Sequence, residues 1–230
     1  YRESGYLPEA VINFLALLGW NPGTEQEILS MDQLIELFDL QKCSKSGAKF
    51  DYMKGWWFNR EYLLMKTNEE LAQPFLTLLA DNGITTTPDR AAAVVGMMKQ
   101  KVVEYVDGQS QQIKKRSVSF VKDLWPLCDF FFIAPQDFDR NDKFIRKNWR
   151  ENSADEMKQL RDQLQQLENF DIDTQKAAID TWAEQTGIKP WNAWRICLVG
   201  KGQGPDMYEL AAFLGKEETI KRMDFAIATL

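Results

Sequence analysis

The sequence predicts an all-α protein, and two kinds of local signal support this prediction. Helix-start patterns recur along the chain, with capping boxes at Ser30-x-x-Gln33, Thr67-x-x-Glu70 and Ser153-x-x-Glu156. Strand signals, by contrast, are nearly absent. The 230 residues contain 44% hydrophobic side chains, which is enough to bury real cores. We therefore expect roughly eleven or twelve helices, joined by short loops into small bundles.

Proline and glycine predict where several of these helices begin and end. The first helix is entered through Pro8 and closed by Gly19, and Trp20 then covers its packed end. The pairs Thr87-Pro88 and Gly204-Pro205 place a proline at a first helical position. Further stops are predicted at three glycines: Gly83, Gly187 and Gly215.

Two apolar stripes with helical spacing follow in the second half of the chain. Met157, Leu160, Leu164 and Leu167 recur at intervals of three and four residues and predict one buried helix face. Val118, Val121, Leu124 and Trp125 fit a second face, which predicts a helix starting at the basic cluster of residues 114–116. The three phenylalanines at 130–132 are better explained as core than as a base-stacking platform.

Two shifts in composition suggest domain boundaries near residues 60 and 150. The aromatic-rich segment 50–59 resembles a compact junction, and polar residues replace the core pattern over 140–153. Neither segment is a Gly/Ser or Pro linker, so we expect the parts to pack in series. The predicted domains are residues 1–60, 61–150 and 151–230.

The residue types that are missing exclude several kinds of chemistry. The chain has no histidine, so a Ser-His-Asp or Cys-His triad cannot be built from it, and no phosphate-binding glycine loop is present. Its three cysteines are widely spaced, which favours neither a disulfide framework nor a zinc site and fits a reducing cytoplasm. No apolar stretch is long enough to cross a bilayer. We predict a binding protein without catalytic or metal-binding residues.

Charge is unevenly distributed along the chain. The net charge is -6, yet residues 99–150 contain eleven basic and seven acidic side chains, a local excess of four positive charges. An acidic protein with a basic band can still bind RNA, because phosphate contact depends on the charge of one face.

Three short segments are candidate anion or RNA contacts. Adjacent like charges at 114–116 gain nothing from folding, so an RNA contact and a solvated face are equally good explanations. A second candidate is the glycine-bounded loop that follows Arg195, where free backbone N–H groups could bind phosphates or base edges, although from the residues alone an ordinary interhelical loop is the better explanation. Finally, Lys42-Cys43-Ser44-Lys45-Ser46 is better explained as a polar turn than as a phosphate contact by Lys42 or Lys45.

Several blocks of the sequence resemble bacterial-type glutamyl-tRNA synthetases, in the same order along the chain. The blocks cover residues 5–20, 34–40, 44–51, 57–59, Arg116 with 130–132, and 198–216. The resemblance implies a helical stem-contact region followed by a two-part helical anticodon-binding domain. It also implies that the chain begins just after the catalytic loop of such an enzyme.

The same resemblance implies roles for individual residues. Arg116, with Lys115 beside it, matches the arginine that reads the anticodon in this family. Arg195, Gly204, Pro205 and Met207 match the loop that contacts the later anticodon bases, and Lys54 and Trp57 match the region that approaches the tRNA stem. An arginine suits base recognition because its planar fork can pair with a base edge and stack on a ring.

We therefore expect the tRNA-binding part of a glutamate-tRNA ligase, a class I aminoacyl-tRNA synthetase. The complete enzyme would use ATP and Mg²⁺ to attach glutamate to tRNA(Glu), whereas this part would be inactive alone and would need no cofactor. We expect a cytoplasmic monomer that binds neither DNA nor membranes. Two alternatives stay open: a helical protein-protein adaptor, and the same region of a non-discriminating enzyme that also charges tRNA(Gln).

Overall fold

A computed structural model describes residues 1–45, 47, 50–108 and 110–230, which form two compact units. The first unit spans Tyr1–Pro126 and the second Leu127–Leu230. The described residues contain twelve α-helices and one two-stranded sheet, which confirms the all-α class. The elements are α1 (Pro8–Gly19), α2 (Met31–Leu37), α3 (Tyr52–Met65), α4 (Asn68–Asp81), α5 (Pro88–Met98), β1 (Val102–Val106), β2 (Ile113–Ser117), α6 (Trp125–Cys128), α7 (Asp142–Asn148), α8 (Ser153–Gln165), α9 (Ile172–Thr186), α10 (Trp191–Val199), α11 (Met207–Leu214) and α12 (Lys216–Thr229).

Most of the predicted helix ends are confirmed. Reciprocal capping boxes open α2 at Ser30 and α4 at Thr67, and Pro8 and Pro88 occupy the first positions of α1 and α5. Gly187 ends α9 in the left-handed conformation, with φ of +71°. Local side-chain chemistry therefore determines these boundaries, as expected for exposed helix ends.

Two predicted helix starts are wrong. Ser153 does not cap α8; it is the first residue of the helix, and its hydroxyl accepts a hydrogen bond from the backbone N–H of Arg150. Pro205 does not open α11, because Asp206 is the N-cap and accepts hydrogen bonds from the backbone N–H groups of Tyr208 and Glu209. Asp206 therefore caps α11 with its side chain, whereas the N-cap residue of α8, Asn152, makes no side-chain cap hydrogen bond.

The predicted helix over residues 114–125 is also wrong. Residues 113–117 form strand β2, which pairs antiparallel with β1 so that Val103 lies opposite Arg116. A 3-10 turn at Val121–Asp123 then leads into α6. Val118 and Leu124 are buried as predicted, but from an extended segment and a turn rather than from one helix face.

Two buried asparagines connect the elements of the first unit. Asn59 of α3 accepts a hydrogen bond from the backbone N–H of Leu7 at 2.7 Å and donates to the carbonyl of Ser119 at 2.5 Å. Asn13 of α1 accepts from the backbone N–H of Leu29 and from the Tyr62 hydroxyl, both at 2.9 Å. Phe14 and Phe58 pack beside them, with ring centroids 5.4 Å apart. Polar and aromatic contacts together hold α1 against α3.

The second unit is built on the pairing of α8 with α12. Met157, Leu160 and Leu164 are fully buried, which confirms three members of the predicted apolar stripe, whereas Leu167 lies beyond the end of α8 and is half-buried. Arg222 of α12 is also buried, and its guanidinium donates to the carbonyls of Phe130 and Leu198 at 2.7 and 3.0 Å. A buried charge is tolerated when such hydrogen bonds satisfy it. Arg222 thereby ties the end of α10 to the 130–132 segment.

The three-part division at residues 60 and 150 stays a prediction. The boundary between the two compact units lies between residues 126 and 127, and it coincides with neither predicted boundary. The compact units and the three predicted functional regions are therefore different divisions of the chain. Of the three phenylalanines predicted as core, Phe130 and Phe131 are buried and stack with ring centroids 4.7 Å apart, whereas Phe132 is only half-buried.

Candidate functional site

Arg116 lies on β2, where it forms a buried ion pair with Asp123. Its Nη1 and Nη2 atoms donate to the two carboxylate oxygens at 2.6 and 2.7 Å. The Arg116 side chain is 14% exposed and that of Asp123 7% exposed. Because both Nη atoms of Arg116 already donate to Asp123, pairing with a base edge would require the guanidinium to exchange partners or to use its remaining N–H groups.

Asp123 is a functional candidate that sequence reasoning missed. Its Oδ2 atom also accepts from the backbone N–H groups of Ser119 and Phe120, each at 2.9 Å. One carboxylate therefore fixes both the Arg116 guanidinium and the turn that follows β2. Its spacing seven residues after Arg116 carries no periodic signal in a strand-turn segment, so only the fold brings the two side chains together.

Aromatic rings surround the Arg116 guanidinium. Its central carbon lies 5.0 Å from the Trp56 ring centroid, 5.3 Å from that of Phe120 and 5.8 Å from that of Tyr105. Trp56 and Tyr105 meet edge to face with centroids 5.1 Å apart. Such contacts favour a cation and hold its plane in one orientation. The Arg116 Nε atom is buried without a hydrogen-bond partner.

The predicted neighbour Lys115 has a different environment. Its side chain is 61% exposed and its Nζ atom lies 3.3 Å from Glu104 on the adjacent strand. Lys114 pairs with Asp107 across the hairpin. Ion pairs this exposed are weak and can be exchanged for a phosphate. The cluster at 114–116 is thus two surface lysines and one buried arginine.

Lys54 and Trp57, the predicted stem contacts, lie on α3. Lys54 is half exposed and forms an ion pair with Glu27. Trp57 is 38% exposed, and its ring packs edge to face against Phe58. The two side chains are three residues apart, so they project from the same side of the helix. Both remain accessible to a large ligand.

In the second unit, Arg195, Gly204 and Pro205 lie together. The Arg195 Nη2 atom donates to the carbonyl of Pro205 at 3.1 Å, and a Cβ added at Gly204 would lie 2.9 Å from its Nη1 atom. Gly204 has a φ of +158°, which L-residues rarely adopt. Burial lowers the pKa of Arg195 from its usual value. The Nη1 atom is buried without a hydrogen-bond partner.

Met207 begins α11 directly after this loop and is 4% exposed. Its side chain therefore packs in the core, and a contact with an external ligand would have to come from its backbone or from a rearrangement. Arg195, Gly204, Pro205 and Met207 all lie in the second unit and their roles toward an anticodon stay predictions, whereas Arg116 and Lys115 belong to the other compact unit.

The glycine loop, defined as residues 200–206, rests on side chains from the segment before it. A Cβ added at Gly202 would lie 2.9 Å from the Phe144 ring of α7, and one added at Gly200 would lie 3.2 Å from Arg140. The backbone N–H of Asn141 donates to the carbonyl of Gly200 at 3.0 Å. Sequence reasoning treated residues 140–153 as a seam and missed these contacts. The only available signal was the density of charge around α7.

Among the residues that the structure describes, no group of three or more potential metal-ligating side chains occurs, and none of the helices has the length and apolar character to span a membrane. Cys43, Cys128 and Cys197 are free thiols. Three residues of the 42–51 segment, namely Ser46, Ala48 and Lys49, lie outside the described residues.

Comparisons with known proteins agree with this arrangement of helices and loops. A family model described as "Anticodon binding domain" matches residues 69–227, which is more than half of the chain. The catalytic-domain model of class I tRNA synthetases (E and Q) matches residues 1–57. The chain therefore belongs to the anticodon binding domain family.

Relatives that match the whole of this chain include glutamate–tRNA ligases from several bacteria. The protein of Phocaeicola vulgatus is 48% identical over 233 positions that cover 100% of this chain and 43% of its own length. That of Porphyromonas gingivalis is 42% identical, with the same coverage of both chains. A crystal structure of a glutamate tRNA ligase from Elizabethkingia meningosepticum is 38% identical, with a TM-score of 0.86 over 100% of this chain and 43% of that one. The chain thus spans less than half the length of these relatives.

Proposed function

We propose that this chain is the tRNA-binding part of a glutamate–tRNA ligase and recognises the anticodon of tRNA(Glu). The observation that carries the proposal is the cluster of Arg195, Gly204 and Pro205 within a chain of the anticodon binding domain family. The cluster places a guanidinium beneath a backbone that has no side chain at Gly204. The missing side chain at Gly204 lets the Arg195 guanidinium lie against the loop backbone, so that cation and loop would together contact a nucleotide.

The first unit would contribute separate contacts to the same tRNA. Lys115 is exposed and weakly paired, so it suits a phosphate. Lys54 and Trp57 would approach the tRNA stem from α3. Arg116 would act in the anticodon reading implied by the family, but its engagement with Asp123 means that it would work from a fixed position.

The complete enzyme would activate glutamate with ATP and Mg²⁺ and transfer it to tRNA. We assign no residue of this chain to that chemistry, and we expect the chain alone to be inactive in charging. We further propose that it acts in the cytoplasm as a monomer. Whether the complete enzyme also charges tRNA(Gln) would be decided by charging assays on the full-length protein with both tRNAs.

Filter binding across a salt series tests the proposal. The chain should bind transcribed tRNA(Glu), and its affinity should fall steeply with salt because phosphate contacts release counterions. Arg195→Lys should weaken binding to tRNA(Glu) by about 1 to 3 kcal/mol and reduce discrimination against changed anticodon bases, since an ammonium cannot reproduce the fork. The proposal is abandoned if the folded chain fails to bind tRNA at low salt.

One observation favours a second candidate, the protein-protein adaptor. Side chains on α1 and α2 leave apolar surface exposed, for instance Leu15 at 46% and Ile35 at 72%. Exposed apolar patches of this kind often mark protein contacts. The same salt series discriminates, because an adaptor would show no tRNA binding.

A further inference from the structure

Helix α7 is held in a fixed position beside the glycine loop. Asn141 caps it by accepting a hydrogen bond from the backbone N–H of Phe144 at 2.9 Å. The backbone N–H of Asn141 donates to Gly200, and the side chain of Asn192 at the start of α10 donates to that of Asn148 at 2.8 Å. Contacts at both ends of α10 therefore orient α7.

The two sides of α7 carry different residues. Phe144 is half-buried, and its ring lies against Gly202 of the glycine loop. Lys143, Arg146 and Lys147 are all exposed and follow the spacing i, i+3, i+4, so they form one surface, which we call the basic face of α7. None of these three side chains forms an ion pair with any residue that the structure describes, whereas Lys201 in the neighbouring loop pairs with Asp129 at 2.9 Å.

The fold itself does not explain this basic face. Arg146 and Lys147 lie in the last turn, where the helix dipole favours a cation, but Lys143 lies in the first turn, where the dipole opposes one. Lys143 and Lys147 are also like charges four residues apart, an arrangement that destabilises a helix. Asp142 precedes Arg146 by four residues, yet the two do not form an ion pair in the described structure. A polyanionic ligand would account for all three cations.

We infer that the basic face of α7 binds the phosphodiester backbone of the tRNA next to the nucleotides contacted by the glycine loop. This inference rests on the proposed function and adds to it a surface that contacts phosphates without distinguishing between nucleotide bases. Phe144 is then a positioning residue, because it fixes the loop relative to the phosphate contacts. Base contact and backbone contact would occur at adjacent sites in one compact unit.

Two double variants with equal charge change test the inference. Lys143→Gln with Lys147→Gln removes two charges from the basic face, and Lys158→Gln with Lys176→Gln removes two from exposed positions on α8 and α9 of the same unit. Filter binding to tRNA(Glu) is measured from about 50 to about 200 mM salt. With a slope of about 0.7 per phosphate contact, the affinity of the unchanged chain should fall about sevenfold further over this range than that of the α7 variant.

The α7 variant should lose affinity equally for all anticodon sequences, and the control variant should keep the salt slope of the unchanged chain. Equal slopes for the two variants overturn the inference while leaving the proposed function intact. A loss that depends on the anticodon sequence also overturns it, since a phosphate contact reads no base. If the unchanged chain binds no tRNA, the proposed function and this inference both fail. Circular dichroism of each variant checks that the exposed substitutions leave the fold unchanged.

Discussion

Replacing Asp123 by alanine should destabilise the first compact unit more than almost any other single charge change. The Asp123 carboxylate accepts four hydrogen bonds, two from Arg116 and one each from the backbone N–H groups of Ser119 and Phe120. Asp123→Ala would leave the Arg116 charge without its partner in a site that is 14% exposed. Removing one member of a buried pair costs about 3 to 5 kcal/mol, and the residual exposure of Arg116 places the expected loss near the lower end.

The same hairpin provides a matched control. Lys115 and Glu104 also pair between side chains, at 3.3 Å, but are 61% and 49% exposed. Glu104→Ala should therefore reduce the free energy of unfolding by only about 0.2 to 1 kcal/mol. Urea unfolding followed by circular dichroism measures both changes, and hydrogen exchange of the β1 and β2 amides locates them.

A loss of about 1 kcal/mol or less for Asp123→Ala, similar to that of the control, would refute this reasoning. A further variant tests the assigned cause. Arg116→Met combined with Asp123→Leu leaves no uncompensated charge, so it should be more stable than Asp123→Ala alone. Both variants lose the contacts of Asp123 with the turn, so a combined variant that is no more stable than Asp123→Ala would show that the stranded charge is not the main cost.

Three further predictions concern other parts of the molecule. Gly202→Ala should lower the free energy of unfolding by about 1 to 3 kcal/mol because its Cβ would lie 2.9 Å from Phe144. Adding Phe144→Ala should recover part of that loss in a thermal melt, and additive losses for the two substitutions would contradict the contact. A thiol reagent should label one cysteine, Cys43, in the folded chain and three in denaturant, because burial raises the pKa of Cys128 and Cys197. Rapid labelling of Cys128 or Cys197 in the folded chain would contradict this prediction. Hydrogen bonds from its own backbone N–H and from Lys66 lower the pKa of Glu9. The stabilisation from Glu9 is therefore present above its unfolded pKa of about 4.3 and is lost as the pH falls through the lower folded value. Glu9→Gln should show a smaller acid-induced loss of stability, and pH profiles in urea unfolding that the substitution leaves unchanged would exclude the effect.

Local chemistry made much of the helical framework predictable. Ser30 and Thr67 form capping boxes because the required partners lie three residues away in the sequence. The hairpin was missed for the opposite reason. Its second strand reads Ile-Lys-Lys-Arg-Ser, with little strand character. It is stabilised by pairing with β1 and by contacts of Arg116 with Trp56, which is distant in sequence, and with Asp123 in the turn that follows the strand.

The contacts of the candidate site were also only partly predictable from the sequence. The grouping of Arg195 with Gly204 and Pro205 followed from a family resemblance, and the structure places these residues in contact. Phe144 could not be linked to Gly202 from the sequence, because their contact spans the whole of α8, α9 and α10. The role of each residue toward tRNA stays a prediction until binding is measured.

The two hydrogen bonds of Asn59 bear on where the chain could be divided into separate parts. They join positions 52 and 60 residues away, from Leu7 on one side to Ser119 on the other. The two family models meet between residues 57 and 69, close to this side chain. Cutting the chain at that border would separate Asn59 from one of its two backbone partners and leave a buried amide group unsatisfied. The border between the two family models is therefore not a border between parts of the first unit that are stabilised independently of each other.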